Sequence, residues 1–316
     1  MDYDVINARC SGLVYGVARK ASDNSKIKAC NANKDDGPFF CSVCLSEAIV
    51  RKCTEKEDHF AHKGRLSPII PKKDQQLHDK CRDNICNYLS NKFPNGKWAS
   101  ERSIPANKPK GWDQVIPDIS GRIGNTPVAI EVQKTAYTIK KIHDKTVEYA
   151  RRGVYVIWIV PLHKDLGDEP FRPRLYEKYL HSMYYGRVYY WTPKSNPTII
   201  PVHFSPAKRW IDESTWFDVE SGEERTTGGF YLTYKTLKSP KYGKSCDLAI
   251  DFKFDDRQRF TPSNQNKEIP ESNIFIDKLS KWWPKDEYKD LWNQKTVISG
   301  IDFLSDYDPY DDYDQE

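Results

Sequence analysis

The sequence lacks any long run of apolar residues. No stretch approaches the roughly 18 consecutive apolar residues that mark a membrane-spanning helix. The first ten residues, MDYDVINARC, also lack the basic start and the apolar centre of a secretory signal. We therefore expect a cytoplasmic protein that does not bind membranes. In that reducing compartment the eight cysteines are expected to be metal ligands or buried thiols, because disulfides form mainly outside it.

The chain also lacks a strong overall charge, with 49 Lys and Arg against 45 Asp and Glu. This near balance hides an acidic segment, residues 302–316, that contains seven acidic residues and no basic one. The first 301 residues carry 38 acidic against 49 basic residues. Such an excess of positive charge is typical of phosphate-binding proteins, although an ordinary solvated surface is also consistent with it. We expect the acidic tail to be disordered, and the alternatives are that it competes with DNA as an acidic mimic or binds a protein partner.

Four metal-ligand residues stand in two close pairs. Cys41 and Cys44 lie in FCSVC, and His59 and His62 lie in DHFAHK, which gives the spacing C-x2-C-x14-H-x2-H. Two thiolates and two imidazoles can fill a tetrahedral Zn²⁺ shell, so the pattern predicts a zinc-binding finger. Cys53 is an alternative to one histidine, and buried thiols with surface histidines are the interpretation without a metal. A filled shell leaves no open position, so this zinc would stabilise the fold and would not catalyse.

Helix and strand patterns alternate between residues 74 and 165. In chain order they are a helix at Asp74–Phe93, a strand near residue 101, strands at Val115–Ile123 and Pro127–Gln133, a helix at Thr138–Arg152 and a buried strand at 154–160. A Gly-Asn-Thr turn joins the second and third strands. This α-β-β-β-α-β order is that of a restriction-endonuclease-like core of the α/β class.

The hairpin within this segment carries two carboxylates that can converge. Because strand side chains alternate between faces, Glu131 and Gln133 share one face, and Asp118 can face Glu131 across the strand pair. Two carboxylates make a hard oxygen site that suits Mg²⁺ or Mn²⁺, and the backbone carbonyl of Val132 can add another oxygen. Such an ion polarises a phosphate and activates a water. An ordinary hairpin with exposed acids is the alternative interpretation.

The predicted helix after this hairpin is basic on one side. In the vicinity of an acidic metal site this side can bind the phosphates of DNA, and a plain solvated face is equally consistent with it. The basic residues of this helix are Lys140, Lys141, Lys145, Arg151 and Arg152.

Together these motifs resemble the competence protein CoiA-like family, in which an N-terminal Cys/His finger precedes a PD-(D/E)xK nuclease core. The resemblance covers roughly residues 10–205 and implies a DNA nuclease that uses Mg²⁺ or Mn²⁺ to process incoming or foreign DNA, in competence or in phage defence. It also implies that Asp118 and Glu131 are metal ligands and that Gln133 takes the position of the usual lysine. The matching motifs are Cys41 and Cys44, HFAH at 59–62, Pro117-Asp118 and IEVQ at 130–133.

The glutamine at the lysine position leaves one catalytic role to be filled. Gln133 can orient a water but carries no charge, so catalysis would depend more on the metal or on a lysine from elsewhere, Lys80 or Lys141. Glu101, near the strand before the hairpin, is a candidate third carboxylate. His78, on the first helix, is a candidate for phosphate contact or proton transfer. The missing lysine also motivates the alternative of a non-catalytic DNA-binding protein with a degenerate core.

Composition divides the chain into four parts. Residues 1–66 hold N-terminal strands and the finger, 74–165 the nuclease-like core, 166–301 an α+β aromatic and basic region, and 302–316 the acidic tail. Tyrosines are dense at 179–191, where a core of large aromatics is favoured over a surface that stacks on bases.

Overall fold

The structure is a computed structural model that describes residues 16–42, 45–55, 57–69, 75–133, 138–195, 197–219, 221–262 and 267–284. It is a mixed α/β protein with several sheets and few helices. None of the helices in these ranges is long and apolar enough to cross a membrane. The chain divides into two compact units, one of Met1–Arg65 with Lys208–Thr233 and one of Leu66–Ala207 with Tyr234–Glu316.

The first five strands belong to the first unit: β1 (Val17–Lys20), β2 (Lys26–Lys28), β3 (Phe39–Phe40), β4 (Glu47–Arg51) and β5 (His59–His62). They form one antiparallel sheet in the order β2-β1-β3-β4-β5. In β4 the buried residues Ala48 and Val50 alternate with exposed ends, as expected for a sheet with one covered face. Phe39 and Phe60 pack against each other on that face, with ring centroids 5.0 Å apart. The first unit is therefore rich in β structure, as the sequence predicts.

The remaining elements in chain order are α1 (Gln75–Lys92), β6 (Ala99–Ser100), β7 (Ile119–Ile123), β8 (Thr126–Val132), α2 (Ile139–Ala150), β9 (Tyr155–Pro161), α3 (Leu175–Met183), β10 (Val188–Trp191), β11 (Ile200–Ile211), β12 (Ser214–Asp218), β13 (Glu223–Thr227), β14 (Phe230–Tyr242), β15 (Phe252–Arg257) and β16 (Ser272–Asp277). The largest sheet has the order β14-β11-β10-β9-β8-β7-β6, with β16 also beside β9 and β15 beside β16. Strands β12 and β13 form a separate hairpin.

The centre of the large sheet is built as the apolar runs predict. Strand β8 is antiparallel to β7 and parallel to β9, and both β8 and β9 are almost continuously buried. Helix α2 makes the crossover between them. The Thr138 hydroxyl caps α2, and Gly153, with φ +64°, lies in the left-handed conformation just after it. The expected strand from Val115 begins later, at Ile119, because Val115 pairs back on Ile104 instead.

The sheet continues past residue 165, so the tyrosine-rich segment belongs to its core. Strand β10 runs parallel to β9, and β11 is antiparallel to β10. Tyr184, Tyr189 and Trp191 are fully buried, which confirms the core interpretation over an exposed stacking surface. The buried Asp277 carboxylate accepts hydrogen bonds from Arg187 at 2.6 Å and from Tyr189 at 2.7 Å.

Two contacting histidines, His181 and His203, make the stability of this region depend on pH. Nε2 of His181 lies 3.1 Å from Nδ1 of His203 and accepts the backbone N–H of Phe204 at 3.2 Å. Burial, and to a smaller extent the neighbouring His203, lowers the pKa of His181 well below its usual value of 6.5. The unfolded chain therefore takes up a proton below pH 6.5 that the folded chain does not, and the free energy of unfolding falls as the pH drops through that value.

Replacing His181 with glutamine is expected to weaken this dependence, because glutamine keeps a hydrogen-bond acceptor but does not titrate. The single histidine lowers the free energy of unfolding by up to about 1.4 kcal/mol per pH unit below its unfolded pKa. Urea unfolding of both proteins at about pH 7.5 and 5.5 measures the effect. The loss on acidification should be smaller in the variant by about 1 kcal/mol. Equal losses in the two proteins would contradict the assignment.

Candidate active site

Asp118 and Glu131 meet at the end of the β7–β8 hairpin, as the sequence predicts. The backbone N–H of Val132 donates to Oδ2 of Asp118 at 2.7 Å, which fixes this carboxylate beside the end of β8. Asp118 is partly exposed, whereas the carboxylate of Glu131 is fully buried. The two acids are close enough for the charge of Asp118 to contribute to raising the pKa of Glu131.

Helix α2 supplies two partners to Glu131 that the sequence analysis did not assign. Lys145 Nζ lies 2.7 Å from Oε2, and the Tyr149 hydroxyl donates to Oε1. Burial raises the pKa of Glu131 to about 8, while the positive charge of Lys145 opposes that shift. Burial together with Glu131 raises the pKa of Tyr149, so its hydroxyl stays a proton donor. The ammonium of Lys145 stabilises the ionised form of this buried carboxylate, which burial alone would disfavour.

Residues on α1 and β8 complete the site. His78 is buried, with Nε2 3.1 Å from the carbonyl oxygen of Val132 and 4.0 Å from Oδ1 of Asp118. Gln133 is also buried, and its backbone N–H donates to the carbonyl of Ile159 at 2.7 Å. The structure therefore brings His78, Asp118, Glu131 and Gln133 to one end of the sheet.

Three predicted contributors lie elsewhere. Glu101 has a positive φ of 49° and a side chain that is 62% exposed, and it pairs with Arg82 at 3.1 Å instead of joining the other two carboxylates. Lys80 and Lys141 are exposed. The lysine that reaches Glu131 is Lys145, so the expectation for Lys80 or Lys141 is corrected.

The basic side of α2 does not form a single free surface. Lys140 is exposed to solvent, but Lys145 is directed at Glu131. Arg151 and Arg152 both pair with Glu148, and the Arg152 side chain is only 6% exposed and also donates to a backbone carbonyl. Lys145 and Arg152 therefore each pair with a buried carboxylate, and phosphate binding by this side of α2 stays a prediction.

The Cys/His cluster of the first unit is divided between two ends of its sheet. His62 pairs with Ala48 near the turn that contains the buried Cys41, whereas His59 pairs with Arg51 at the far end of β4. His59 Nδ1 lies 3.7 Å from Sγ of Cys53 instead.

Strand geometry explains this separation, because residues three apart in a strand point to opposite faces. Within the described ranges, no group of three or more Cys, His, Asp or Glu side chains is placed to hold a metal ion. The set with both histidines is therefore not formed there. A zinc site at the Cys41 end stays a prediction, since Cys44 lies outside the described residues.

Lys145 and Tyr149 had a signal in the sequence. They are four residues apart, and Tyr149 follows the buried Ile142 by seven, so Tyr149 belongs to the inner stripe of the helix. Lys145 flanks that stripe, where a long side chain can bury its stem and direct its ammonium inward.

Comparison with protein families defines the class of this core. Residues 76–209 match the model described as competence protein CoiA, nuclease-like domain. Residues 21–67 match the model described as competence protein CoiA, N-terminal domain.

Since the two matches together span more than half of the chain, the protein belongs to the competence protein CoiA family. A search of curated proteins found no significant match.

Proposed function

We propose that this protein is a metal-dependent nuclease that hydrolyses phosphodiester bonds of DNA and acts on incoming or foreign DNA. The observation that carries the proposal is the buried Glu131 carboxylate beside Asp118, with the ammonium of Lys145 in contact. The match to a nuclease-like domain over residues 76–209 supports it.

The arrangement of elements supports a PD-(D/E)xK-type core. The chain runs α1-β6-β7-β8-α2-β9, and the four strands are neighbours in the order β9-β8-β7-β6. Asp118 precedes β7 and Glu131 stands near the end of β8, which is where the PD and ExQ motifs belong in such a core.

The donor set fits Mg²⁺ or Mn²⁺. Asp118, Glu131 and the backbone carbonyl of Val132 are hard oxygen donors, and Mg²⁺ usually takes one or two carboxylates and keeps several waters. Both oxygens of Glu131 contact protons of Lys145 and Tyr149, so the incoming ion would share this carboxylate with them or displace them. When bound, the ion would polarise the phosphate and lower the pKa of the attacking water.

The residues of the chain supply the remaining chemistry. Lys145 provides the positive charge that Gln133 lacks, and it can stabilise the negative charge that develops on the phosphate. Gln133, on the same face as Glu131, can hold a water through its amide. His78 acts through position, because its contact with the Val132 carbonyl holds α1 against the end of β8.

A second candidate is a DNA-binding protein without catalysis, which the two occupied oxygens of Glu131 favour. Asp118→Asn distinguishes the two. The amide oxygen can still accept the Val132 N–H, but the variant lacks the charge that would bind the ion.

We expect Asp118→Asn to cleave single-stranded DNA in Mn²⁺ at least about 100-fold more slowly than wild type and to bind it at least as tightly. Equal cleavage by both proteins would contradict the assignment of Asp118. Absence of cleavage by the wild type, with binding intact, would support the binding-only alternative.

A further inference from the structure

A basic groove lies on the second unit and is lined in part by residues of β7 and β8. It has a volume of about 510 Å³, and four cationic side chains contribute to its wall. Its lining includes no Asp or Glu, and all of its lining residues are among those that the structure describes. The four cations are Lys97, Arg102, Arg122 and Arg152.

Three of these charges remain available to an anion. Arg102 donates to the Ser120 carbonyl at 3.0 Å and to the Lys97 carbonyl at 2.9 Å, and Arg122 donates to the Asn125 carbonyl at 2.6 Å. In the described part of the chain neither guanidinium pairs with a carboxylate, and both side chains are exposed, as is Lys97. Arg152 differs, because Glu148 neutralises it. Cations held by neutral oxygens at a concave surface favour phosphate.

Three of the strand residues that line the groove, Ser120, Arg122 and Pro127, lie on the same face of the sheet as Glu131. Ser120 pairs with Ala129, and Arg122 pairs with Pro127. Directly opposed residues share a face, and so do residues two apart, so this face also carries Glu131. Four residues of strand, or about 13 Å, separate Pro127 from Glu131. A stacked nucleic-acid strand rises about 3.4 Å per nucleotide, so this distance corresponds to about four nucleotides.

The floor of the groove suits a base. Apolar side chains of Ile104, Pro127 and Val154 line it, together with the indole of Trp112. Lys110 and Arg152 lie 4.6 and 5.1 Å from the Trp112 ring centroid and hold the ring in the wall. The volume is that of a small-molecule pocket, which accommodates one nucleotide but not a duplex.

We propose that this groove binds an unpaired nucleotide of a single-stranded nucleic acid, with its phosphates on Lys97, Arg102 and Arg122 and its base on the apolar floor. The inference rests on the proposed nuclease function in one respect, namely that the strand held here continues to Asp118 and Glu131. The groove would therefore bind a single strand or the frayed end of a duplex.

Binding of a fluorescein-labelled oligothymidylate of about 12 nucleotides, followed by fluorescence anisotropy in EDTA, tests the groove without cleavage. The variant is Lys97→Gln with Arg122→Gln, and the matched control, which also removes two exposed positive charges of the second unit, is Lys164→Gln with Lys281→Gln. The groove variant should raise Kd about tenfold or more and lower the slope of log Kd against log salt by about 1.4. The control should change Kd less than about twofold.

A larger loss of affinity in the Lys164/Lys281 control than in the groove variant would overturn the proposal, as would equal Kd values for all three proteins. Competition with unlabelled oligouridylate and with a blunt duplex of equal length tests the substrate form, and tighter binding of the duplex would also overturn it. Thermal unfolding by circular dichroism verifies folding. Should the double variant not fold, Lys97→Gln alone should raise Kd about threefold, and an unchanged Kd would overturn the groove proposal.

Failure of the groove and failure of the nuclease proposal are distinguishable. Wild type that cleaves DNA in Mn²⁺, with a groove variant of unchanged Kd, would overturn the groove alone. Wild type that binds through the groove but cleaves nothing would overturn the nuclease proposal and leave the binding site.

Discussion

Glu131→Gln is expected to lower the rate of Mn²⁺-dependent DNA cleavage by at least about 1000-fold, which makes it the most damaging single substitution in the site. Glutamine has the shape of glutamate and can still accept a hydrogen bond from Tyr149 or Lys145, but it cannot offer an anionic oxygen to a metal. The measurement is the initial rate of cleavage of a circular single-stranded DNA, which requires no free end.

Asp144→Asn is the matched control, because Asp144 is another carboxylate, on α2, but it is exposed and pairs with the adjacent His143. It should retain the wild-type rate within about threefold. Stability separates a chemical from a structural effect. Since burial raises the pKa of Glu131 to about 8, above its ordinary value of 4.5, its ionisation costs stability near neutral pH, and the neutral glutamine should not lower the free energy of unfolding. A Glu131→Gln protein that keeps a tenth of the wild-type rate would contradict its role.

Lys145→Met should slow cleavage by about 100-fold or more, because it removes the only positive charge in contact with Glu131 among the described residues. Methionine keeps much of the apolar stem, so the packing of α2 is retained. Lys145→Arg should restore part of the rate, whereas Lys141→Met should have little effect.

The pH profile gives a second measurement for Lys145. The positive charge of Lys145 holds the pKa of Glu131 below the value that burial alone would produce, so its removal raises that pKa. Metal binding needs the ionised carboxylate, and the acidic limb of the rate profile should therefore move to higher pH in Lys145→Met. A small loss of rate with an unmoved limb would show that the lysine contact is structural.

Strand alternation was sufficient to predict how the two carboxylates converge. Glu131 and Gln133 share a face, and Asp118 reaches the same end of the hairpin, because the register of a two-strand pair follows from its short turn. The order of helices and strands was equally accessible, since β8 and β9 are apolar throughout and α2 has a clear inner stripe.

The partner of Glu131 was not predictable from the pattern alone. A helical stripe defines which residues point inward, but Lys145 lies at its margin, and a rotation of the helix by a few tens of degrees would direct Lys141 or Lys145 to the site. Packing of α2 on the sheet decides between them. Glu101 was misplaced for a related reason, because its left-handed backbone turns its side chain to Arg82.

His59 and His62 show how the interpretation of a metal-ligand pattern depends on local secondary structure. The spacing H-x2-H was interpreted without assigning a conformation to DHFAHK, yet that segment is the strand β5. In a strand, residues three apart point to opposite faces, and the described structure places His59 beside Cys53 and His62 opposite Ala48.

The most direct test of the central claim is cleavage of circular single-stranded DNA by purified wild-type protein across a Mn²⁺ titration, with EDTA added at the end. The site of Asp118, Glu131 and Lys145 predicts that linear products appear as Mn²⁺ is added, that EDTA stops the reaction, and that Glu131→Gln yields no products under the same conditions. Intact circles at every Mn²⁺ concentration, or cleavage that continues unchanged in EDTA, would contradict the account.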